Sequence, residues 1–164
     1  MRVTLVTVMI VVALAMAGAS TVGAQGAPAA PKLFAASADV KAMIARARAE
    51  RKPDQPNFTQ PIVTLAPYSA NLEYRAGGLN APASTHDRDA ELFYVVEGVG
   101  TIVLGGTLRD ERRTNADNAS GTGIEGGTSK QIGAGDVVLV PERTPHWFTQ
   151  IDGALVLISL HLPR

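Results

Sequence analysis

The chain contains no cysteine among its 164 residues. No disulfide can therefore link its strands, no thiolate can act as a nucleophile, and a cysteine-ligated zinc site is excluded. The chain also lacks an excess of either charge, because 15 basic and 15 acidic side chains give a formal net charge of zero. Binding to phosphates needs a concentrated basic face. We therefore expect neither nucleic acid nor an anionic membrane surface as a main partner.

Aromatic residues make up 5% of the sequence, charged residues 18% and apolar residues 46%. This balance is typical of globular proteins and not of disordered ones. The length allows one domain with a hydrophobic core, once any leader is removed.

The first residues read as a targeting segment. After Met1-Arg2, residues 3–17 are almost all apolar, and small residues follow up to Ala24. This pattern predicts a signal peptide over 1–24, cleaved near Ala24, and hence a periplasmic or secreted protein without a stable membrane anchor. The alternative is an uncleaved anchor, although the apolar run is short for a span of roughly 20 residues.

The next segment, 25–36, is rich in alanine, glycine and proline and predicts a flexible tether before a domain at 37–164. A helix is predicted over 38–52, where Pro53 stops it. Its apolar stripe, at helical spacing, consists of Val40, Met43, Ile44 and Ala47. The helix either packs on the main body or binds a partner.

Beyond residue 56 the pattern changes to short extended runs separated by glycine-rich turns, with no helical segment between them. The predicted strands are 61–66, 71–76, 91–96, 101–104, 107–112, 129–132, 137–140, 146–150 and 154–161. The polar stretch 115–127 is predicted to be an excursion over the rim. Many short strands without helices predict an all-β antiparallel sandwich or barrel, here with one N-terminal helix.

Two distant segments join a polar end to an apolar strand and carry most of the chemistry. The segment 84–98 contains His86 and Glu91, and the segment 135–150 contains His146. Two imidazoles and one carboxylate beside an open position describe a non-haem metal site.

Strand alternation predicts which side chains accompany these three residues. It places Phe93 on the face of Glu91, and it places Phe148 and Gln150 on the face of His146. If these faces form the interior, Glu91 is a buried carboxylate. An unpaired buried charge costs several kcal/mol, which a divalent cation would offset.

The first segment resembles the first signature motif of the cupin family: glycine, five residues, histidine-x-histidine, three or four residues, glutamate, six residues, glycine. Gly78, Glu91 and Gly98 match it, and His86 stands at the second histidine. Ser84 occupies the position of the first histidine, which is the main departure from the motif.

The second segment resembles the second cupin motif: glycine, five residues, proline-x-glycine, two residues, histidine, three residues, asparagine. Gly135, Pro141 and His146 match it, whereas Arg143 replaces the glycine and Gln150 the asparagine. The two motifs occur in the family's order, and the resemblance covers about residues 62–160.

The resemblance implies a jelly-roll barrel whose metal is held by three histidines and the glutamate. His86, Glu91 and His146 are the three of these four ligands that this chain retains by matching. We expect Fe, Mn, Zn, Cu or Ni, without a preference among them. The pocket is predicted to include Ser84, Gln150, Phe93 and Phe148. A water or substrate could take the place vacated at Ser84, and Gln150 could orient a ligand.

Other interpretations remain open for individual residues. Glu91 could instead be a rim carboxylate paired with Arg88 or Arg143. His161 matches neither motif and is predicted to be structural or exposed. Trp147 is predicted to alternate away from His146 and to pack outside the barrel.

The resulting functional hypothesis is an exported cupin that binds a divalent metal and acts on, or holds, a small molecule. Oxygenase, isomerase and lyase chemistries all occur in the family, so no reaction and no catalytic residue follow from the resemblance. One alternative is a metal-free module that captures a small ligand without catalysis. Another is a structural or dimerisation role, since the resemblance also favours a homodimer.

Overall fold

A computed structural model of the protein describes residues 30–164. The predicted signal peptide, 1–24, and residues 25–29 of the predicted tether lie outside these residues. Within them, no helix is both long and apolar enough to span a membrane.

Helix α1 occupies Ser37–Glu50 and ends two residues before the predicted boundary. The Asp39 carboxylate accepts a hydrogen bond from the backbone N–H of Ala36 at 2.9 Å, which satisfies one of the free donors at the helix start. Ile44 and Ala47 are buried, and Ile44 packs on the sheet against Leu72. The helix therefore lies on the main body of the molecule.

The segment before the helix is attached to the sheet. Lys32 and Thr64 exchange two backbone hydrogen bonds, of 3.0 Å and 2.8 Å. This pairing lies within the predicted tether, whose composition does not reveal contact with a distant strand.

Within residues 30–164 there are eleven strands. They are β1 Asn57–Leu65, β2 Tyr68–Ala76, β3 Ala83–His86, β4 Asp89–Leu104, β5 Thr107–Arg109, β6 Arg112–Arg113, β7 Asn118–Gly121, β8 Gly123–Glu125, β9 Thr128–Gly133, β10 Val137–Val140 and β11 His146–Pro163.

The long strands β4 and β11 pair antiparallel along most of their length and connect two layers. One layer runs β1-β2-β11-β4-β10 and uses the C-terminal half of β11. The other runs β6-β7-β3-β11-β4-β9 and uses its N-terminal half. Register shifts between Thr149 and Val156 mark the bend from one layer to the other. Strands β5 and β8 form a separate two-stranded sheet.

Gly98 is required where β4 bends. Its φ is +88°, and a Cβ built on it would lie 2.0 Å from the carbonyl oxygen of Ala154. No other residue fits so close an approach between β4 and β11.

The main core lies between the layers and is apolar. It consists of Phe93, Val95, Ile102, Ile132, Val140, Phe148, Leu155 and Leu157. A second apolar cluster lies under α1, on the outer face of β1, β2 and β11. An all-β antiparallel sandwich with one N-terminal helix is therefore confirmed, although the described strands do not close into a ring, since β1 and β6 each have one neighbour.

Two predicted strand boundaries are wrong. Residues 146–150 and 154–161 belong to one strand, β11, because the chain continues through Asp152-Gly153 without a hairpin turn. The predicted polar excursion contains β7, which pairs with β3 throughout its length.

Candidate metal centre

Four polar side chains meet at one end of the sandwich. His86 ends β3, Glu91 lies near the start of β4, and His146 and His161 lie near the two ends of β11. The register sets His161 directly opposite Glu91, and His146 directly opposite Ser84. Because directly opposed residues of antiparallel strands share a face, both pairs turn toward the same interior.

Glu91 is the centre of this cluster. Its Oε2 lies 3.2 Å from Nε2 of His86 and 3.4 Å from Nε2 of His146, and its Oε1 lies 3.4 Å from Nε2 of His161. Glu91 and His146 are only 3% and 4% exposed. The sequence contains three histidines, and all three direct the same nitrogen toward one carboxylate.

The outer nitrogen of each imidazole has an oxygen next to it. Nδ1–H of His86 donates to the side-chain oxygen of Asn118 at 2.7 Å, and Nδ1–H of His146 donates to the carbonyl oxygen of Thr144 at 3.3 Å. Nδ1 of His161 lies 3.6 Å from a carboxylate oxygen of Asp89. The oxygens next to His86 and His146 accept from Nδ1–H, so in these two rings Nε2 can donate to Glu91 while it carries a proton and can offer its lone pair to a metal once that proton is lost.

The pKa values of Glu91 and His86 are both shifted by their contacts within the cluster. Burial alone would raise the pKa of the Glu91 carboxyl, but hydrogen bonds from His146 and His86 outweigh it and hold this pKa well below its usual range. Burial alone would lower the pKa of His86, but hydrogen bonds with Glu91 and Asn118 outweigh it, so this pKa is raised. The site thus keeps an ionised carboxylate among imidazoles, away from bulk water.

The donor set could hold a divalent cation. Ligand atoms of His86, Glu91 and His161 all lie within 4.8 Å of one another, and His146 reaches the same carboxylate. Imidazole nitrogens and a carboxylate suit Fe, Mn, Zn, Cu and Ni, and the oriented Nδ1 atoms are typical of metal-ligating histidines. The residues present therefore fit a metal of this class.

The structure brings His86, Glu91 and His146 together as the sequence predicts. Ser84 lies two residues before His86 on β3, on the same face, and is directly opposite His146 on β11. Phe93 is fully buried, with its ring centroid 5.8 Å from that of His146.

Phe148 packs behind Phe93, at 5.0 Å between ring centroids, and carries the Arg75 guanidinium over its ring at 4.1 Å. Both phenylalanines therefore form the apolar floor below the histidines.

Gln150 corrects one prediction. It is exposed, and its Oε1 accepts a hydrogen bond from the hydroxyl of Thr101 at 2.9 Å. Its φ of +47° breaks the alternation that would have carried it inward. The predicted orienting role of Gln150 beside the metal is therefore wrong, because the strand bends at this residue.

His161 is the cluster residue that the sequence analysis did not assign to the site. It was predicted to be structural or exposed, yet it lies in the cluster at 27% side-chain exposure. Its place follows from the pairing of β11 with β4, which a motif search cannot detect. Asn118 and Asp89 were missed for the same reason.

The alternative pairing of Glu91 with arginine is not what the described residues show. Arg88 instead lies 3.9 Å from Asp117, and the ion-pair partners of Glu91 within residues 30–164 are all histidines.

Trp147 points away from the histidines, as alternation predicts. Its Nε1–H donates to the carbonyl oxygen of Ala81 at 2.8 Å, and its ring packs on the outer cluster around Leu108.

Comparison with solved structures identifies distant relatives of this fold. A protein of Bacillus halodurans, BH2720, has a TM-score of 0.54 at 17% identity over 83% of this chain and 85% of its own. The DMSP lyase DddQ of Ruegeria pomeroyi has a TM-score of 0.53 at 17% identity, over 82% of this chain and 68% of its own. FeII HppE has a TM-score of 0.51 at 17% identity, over 66% of this chain and 52% of its own.

At these identities the likeness shows the fold alone. No curated protein sequence matches the chain. The family model described as Cupin matches residues 57–161, which include all four residues of the cluster. The jelly-roll fold and the family predicted from the two motifs are confirmed, and the chain belongs to the cupin family.

Proposed function

We propose that this chain binds one divalent transition metal through Glu91, His86, His146 and His161, and acts on or holds a small molecule there. The observation that carries the proposal is the convergence of three imidazole Nε2 atoms on one buried carboxylate, at 3.2–3.4 Å.

His161 supplies the imidazole that is missing at position 84. The cupin pattern expects a histidine at position 84, and the serine there has a side chain too short to reach as an imidazole would. His161 brings the third imidazole from the opposite layer, directly across from Glu91. The metal set is thereby restored to three imidazoles and a carboxylate, and the space beside Ser84 is left for a water or substrate.

The residues around the ligands prepare them for binding. Asn118 and the Thr144 carbonyl fix two of the rings, and the Asp89 carboxylate attracts the third. Phe93 and Phe148 exclude water from one side and so strengthen electrostatic interactions at the centre. A bound metal would supply Lewis acidity or oxygen activation.

The comparison proteins include one named as a lyase and one with Fe(II), which supports a metal-dependent oxygenase, isomerase or lyase as the class to test first. Fe, Mn, Zn, Cu and Ni all suit this donor set.

A metal-free module that captures a small ligand is the second candidate. The observation that favours it is that the Glu91 carboxylate already has two imidazole nitrogens as polar partners, those of His86 at 3.2 Å and His146 at 3.4 Å. In that case the cluster would be a structural ion-pair network, and Ser84 would mark a lost metal site.

Metal analysis separates the two candidates. The purified chain, free of chelator and of affinity-tag histidines, should carry about one transition metal per chain, and His146→Ala should lose it. Glu97→Gln is the control, since Glu97 lies on β4 but has a side chain that is 43% exposed and pairs with Arg48. A metal-free chain that still binds a small ligand would support the second candidate.

Export and dimerisation belong to the same proposal. Export rests on the leader sequence, and the mass of the chain recovered outside the cytoplasm should correspond to cleavage near Ala24.

A homodimer is supported by the family and by the exposed apolar side chains of Tyr94, Val137 and Leu139 on the outer face of β4 and β10. Light scattering should give twice the chain mass.

A further inference from the structure

A row of polar residues crosses the second layer, starting at the metal centre. His146 on β11 is opposite Ser84 on β3, Ser84 is opposite Ser120 on β7, and Ser120 is opposite Arg112 on β6. Directly opposed residues share one face of a sheet. The row therefore runs along the inner face, from a histidine to an arginine, through two hydroxyl groups.

Neighbouring contacts agree with this assignment of faces. One position along, His86 is opposite Asn118 and bonds to it through the side chains, so this face of β7 is turned toward the cluster. The intervening residue Ala119 is buried in the outer cluster with Ala83 and Leu108. Arg113, opposite Ala119, is accordingly on the outer face.

The far end of the row opens on a cavity. Ser120 and Arg112 line a space of about 340 Å³, together with Asp110 and the segment 80–82. The Asp110 carboxylate already accepts a hydrogen bond from the Thr122 hydroxyl at 2.6 Å. The polar groups around this space are therefore the Arg112 guanidinium, the Ser120 hydroxyl and the Thr122–Asp110 pair, and the space is large enough for a small molecule.

Arg112 differs from its neighbours in its contacts. Arg113 pairs with Asp87, and Arg109 donates to the Thr122 hydroxyl at 3.1 Å. Arg112 is exposed, and its side chain takes part in no hydrogen bond or ion pair between residues 30–164. Its five donors, in a planar fork, are therefore free for a ligand, and this geometry matches a carboxylate.

We propose that the row from Ser84 to Arg112 is the substrate subsite, and that the substrate is an elongated carboxylic acid. One oxygen of the substrate occupies the metal position beside Ser84, its carboxylate pairs with Arg112, and the hydroxyls of Ser84 and Ser120 bond the polar groups between. This inference rests on the proposed metal centre. Three cross-strand steps of roughly 5 Å each separate His146 from Arg112. A ligand as short as acetate could not contact both ends.

The test uses straight-chain dicarboxylates as probes. The chain is loaded with Co²⁺, and its visible spectrum is titrated with straight-chain dicarboxylates from adipate to sebacate, and with monocarboxylates of matched chain length. At least one dicarboxylate should bind about 10- to 100-fold more tightly than any monocarboxylate. This factor is what one additional hydrogen bond to a charged group, here Arg112, contributes to affinity. Arg112→Gln should remove this preference and leave monocarboxylate binding unchanged.

Two further variants sharpen the test. Arg112→Lys keeps the charge but loses the fork, and should retain part of the preference. Arg113→Gln, on the next residue and the opposite face, should retain all of it.

The outcomes separate the subsite from the metal centre. Stoichiometric Co²⁺ with equal affinity for mono- and dicarboxylates, or a preference that survives in Arg112→Gln, would overturn the subsite alone. Failure of the unsubstituted chain to bind Co²⁺ would overturn the metal centre, and with it the bridging geometry.

Discussion

Replacing His161 by alanine tests the least expected part of the site. In the absence of metal, the change should cost little, because the side chain is 27% exposed and its ion pairs with Asp89 and Glu91 are 3.6 Å and 3.4 Å long. Partly exposed pairs of this kind contribute less than about 1 kcal/mol. With metal the change should be large, because His161 would be one of four ligands.

The expected magnitude follows from binding linkage. Loss of a residue that merely orients a ligand lowers metal affinity by about 10- to 100-fold, so loss of a ligand should reach at least the upper value. Metal at 100 times its dissociation constant stabilises the folded chain by about 2.7 kcal/mol, and a 100-fold weaker site would retain about 0.4 kcal/mol. The difference, about 2.3 kcal/mol, corresponds to a change in Tm on the order of 5–10 °C.

The assay is thermal unfolding of each variant with and without added metal, so that each metal-free chain is its own baseline. Lys130→Ala, an exposed change on β9, should keep the full metal-dependent rise in Tm. An unchanged rise in His161→Ala would show that His161 has a structural role only, and would refute the four-ligand centre.

Three further predictions concern Asn118, Ile44 and the pH dependence of stability. Asn118→Ala should weaken metal binding by about 10- to 100-fold, measured by competition with a chelator, because the His86 ring loses its 2.7 Å acceptor; equal affinity would contradict an orienting role. Ile44→Ala should lower the free energy of unfolding by about 2–5 kcal/mol in urea while metal stoichiometry is unchanged, since Ile44 is 4% exposed under the helix and distant from the cluster. The metal-free chain should be most stable between pH 4.5 and 6.5, the ordinary pKa values of Glu91 and His86. The raised pKa of His86 gives stability that is lost as pH rises above 6.5, and the lowered pKa of Glu91 gives stability that is lost as pH falls below 4.5; a free energy of unfolding that does not change with pH in urea titrations would contradict this.

Local signals in the sequence were enough to predict the fold class. Short extended runs, glycine turns and the absence of a second helical pattern predicted an antiparallel sandwich, and the apolar stripe through Ile44 predicted the helix. These features depend on residues that are close together in the sequence, so they are visible without the structure.

The site was predictable where it coincides with a motif. His86, Glu91 and His146 have fixed spacings from glycine and proline residues, and alternation placed Phe93 and Phe148 beside them correctly. The prediction for Gln150 was wrong because alternation holds only while the backbone stays extended. The φ of +47° at Gln150 interrupts it, and no glycine in the sequence marks that position.

His161 could not be placed from sequence because its position depends on register. A shift of one residue between β11 and β4 would turn this side chain outward. The same is true of Asn118, whose strand lies in the segment that composition assigns to an excursion, and of Arg112, whose partner Ser120 lies in that segment.

The most direct test of the central claim is X-ray absorption spectroscopy of the purified, metal-loaded chain. Since the sequence contains only three histidines, three imidazole scatterers at one metal can come only from His86, His146 and His161. The account predicts one metal per chain with three imidazoles and carboxylate oxygen in its shell, and only two imidazoles after His161→Ala. A chain without stoichiometric metal, or a shell with fewer than three imidazoles before any substitution, would contradict it.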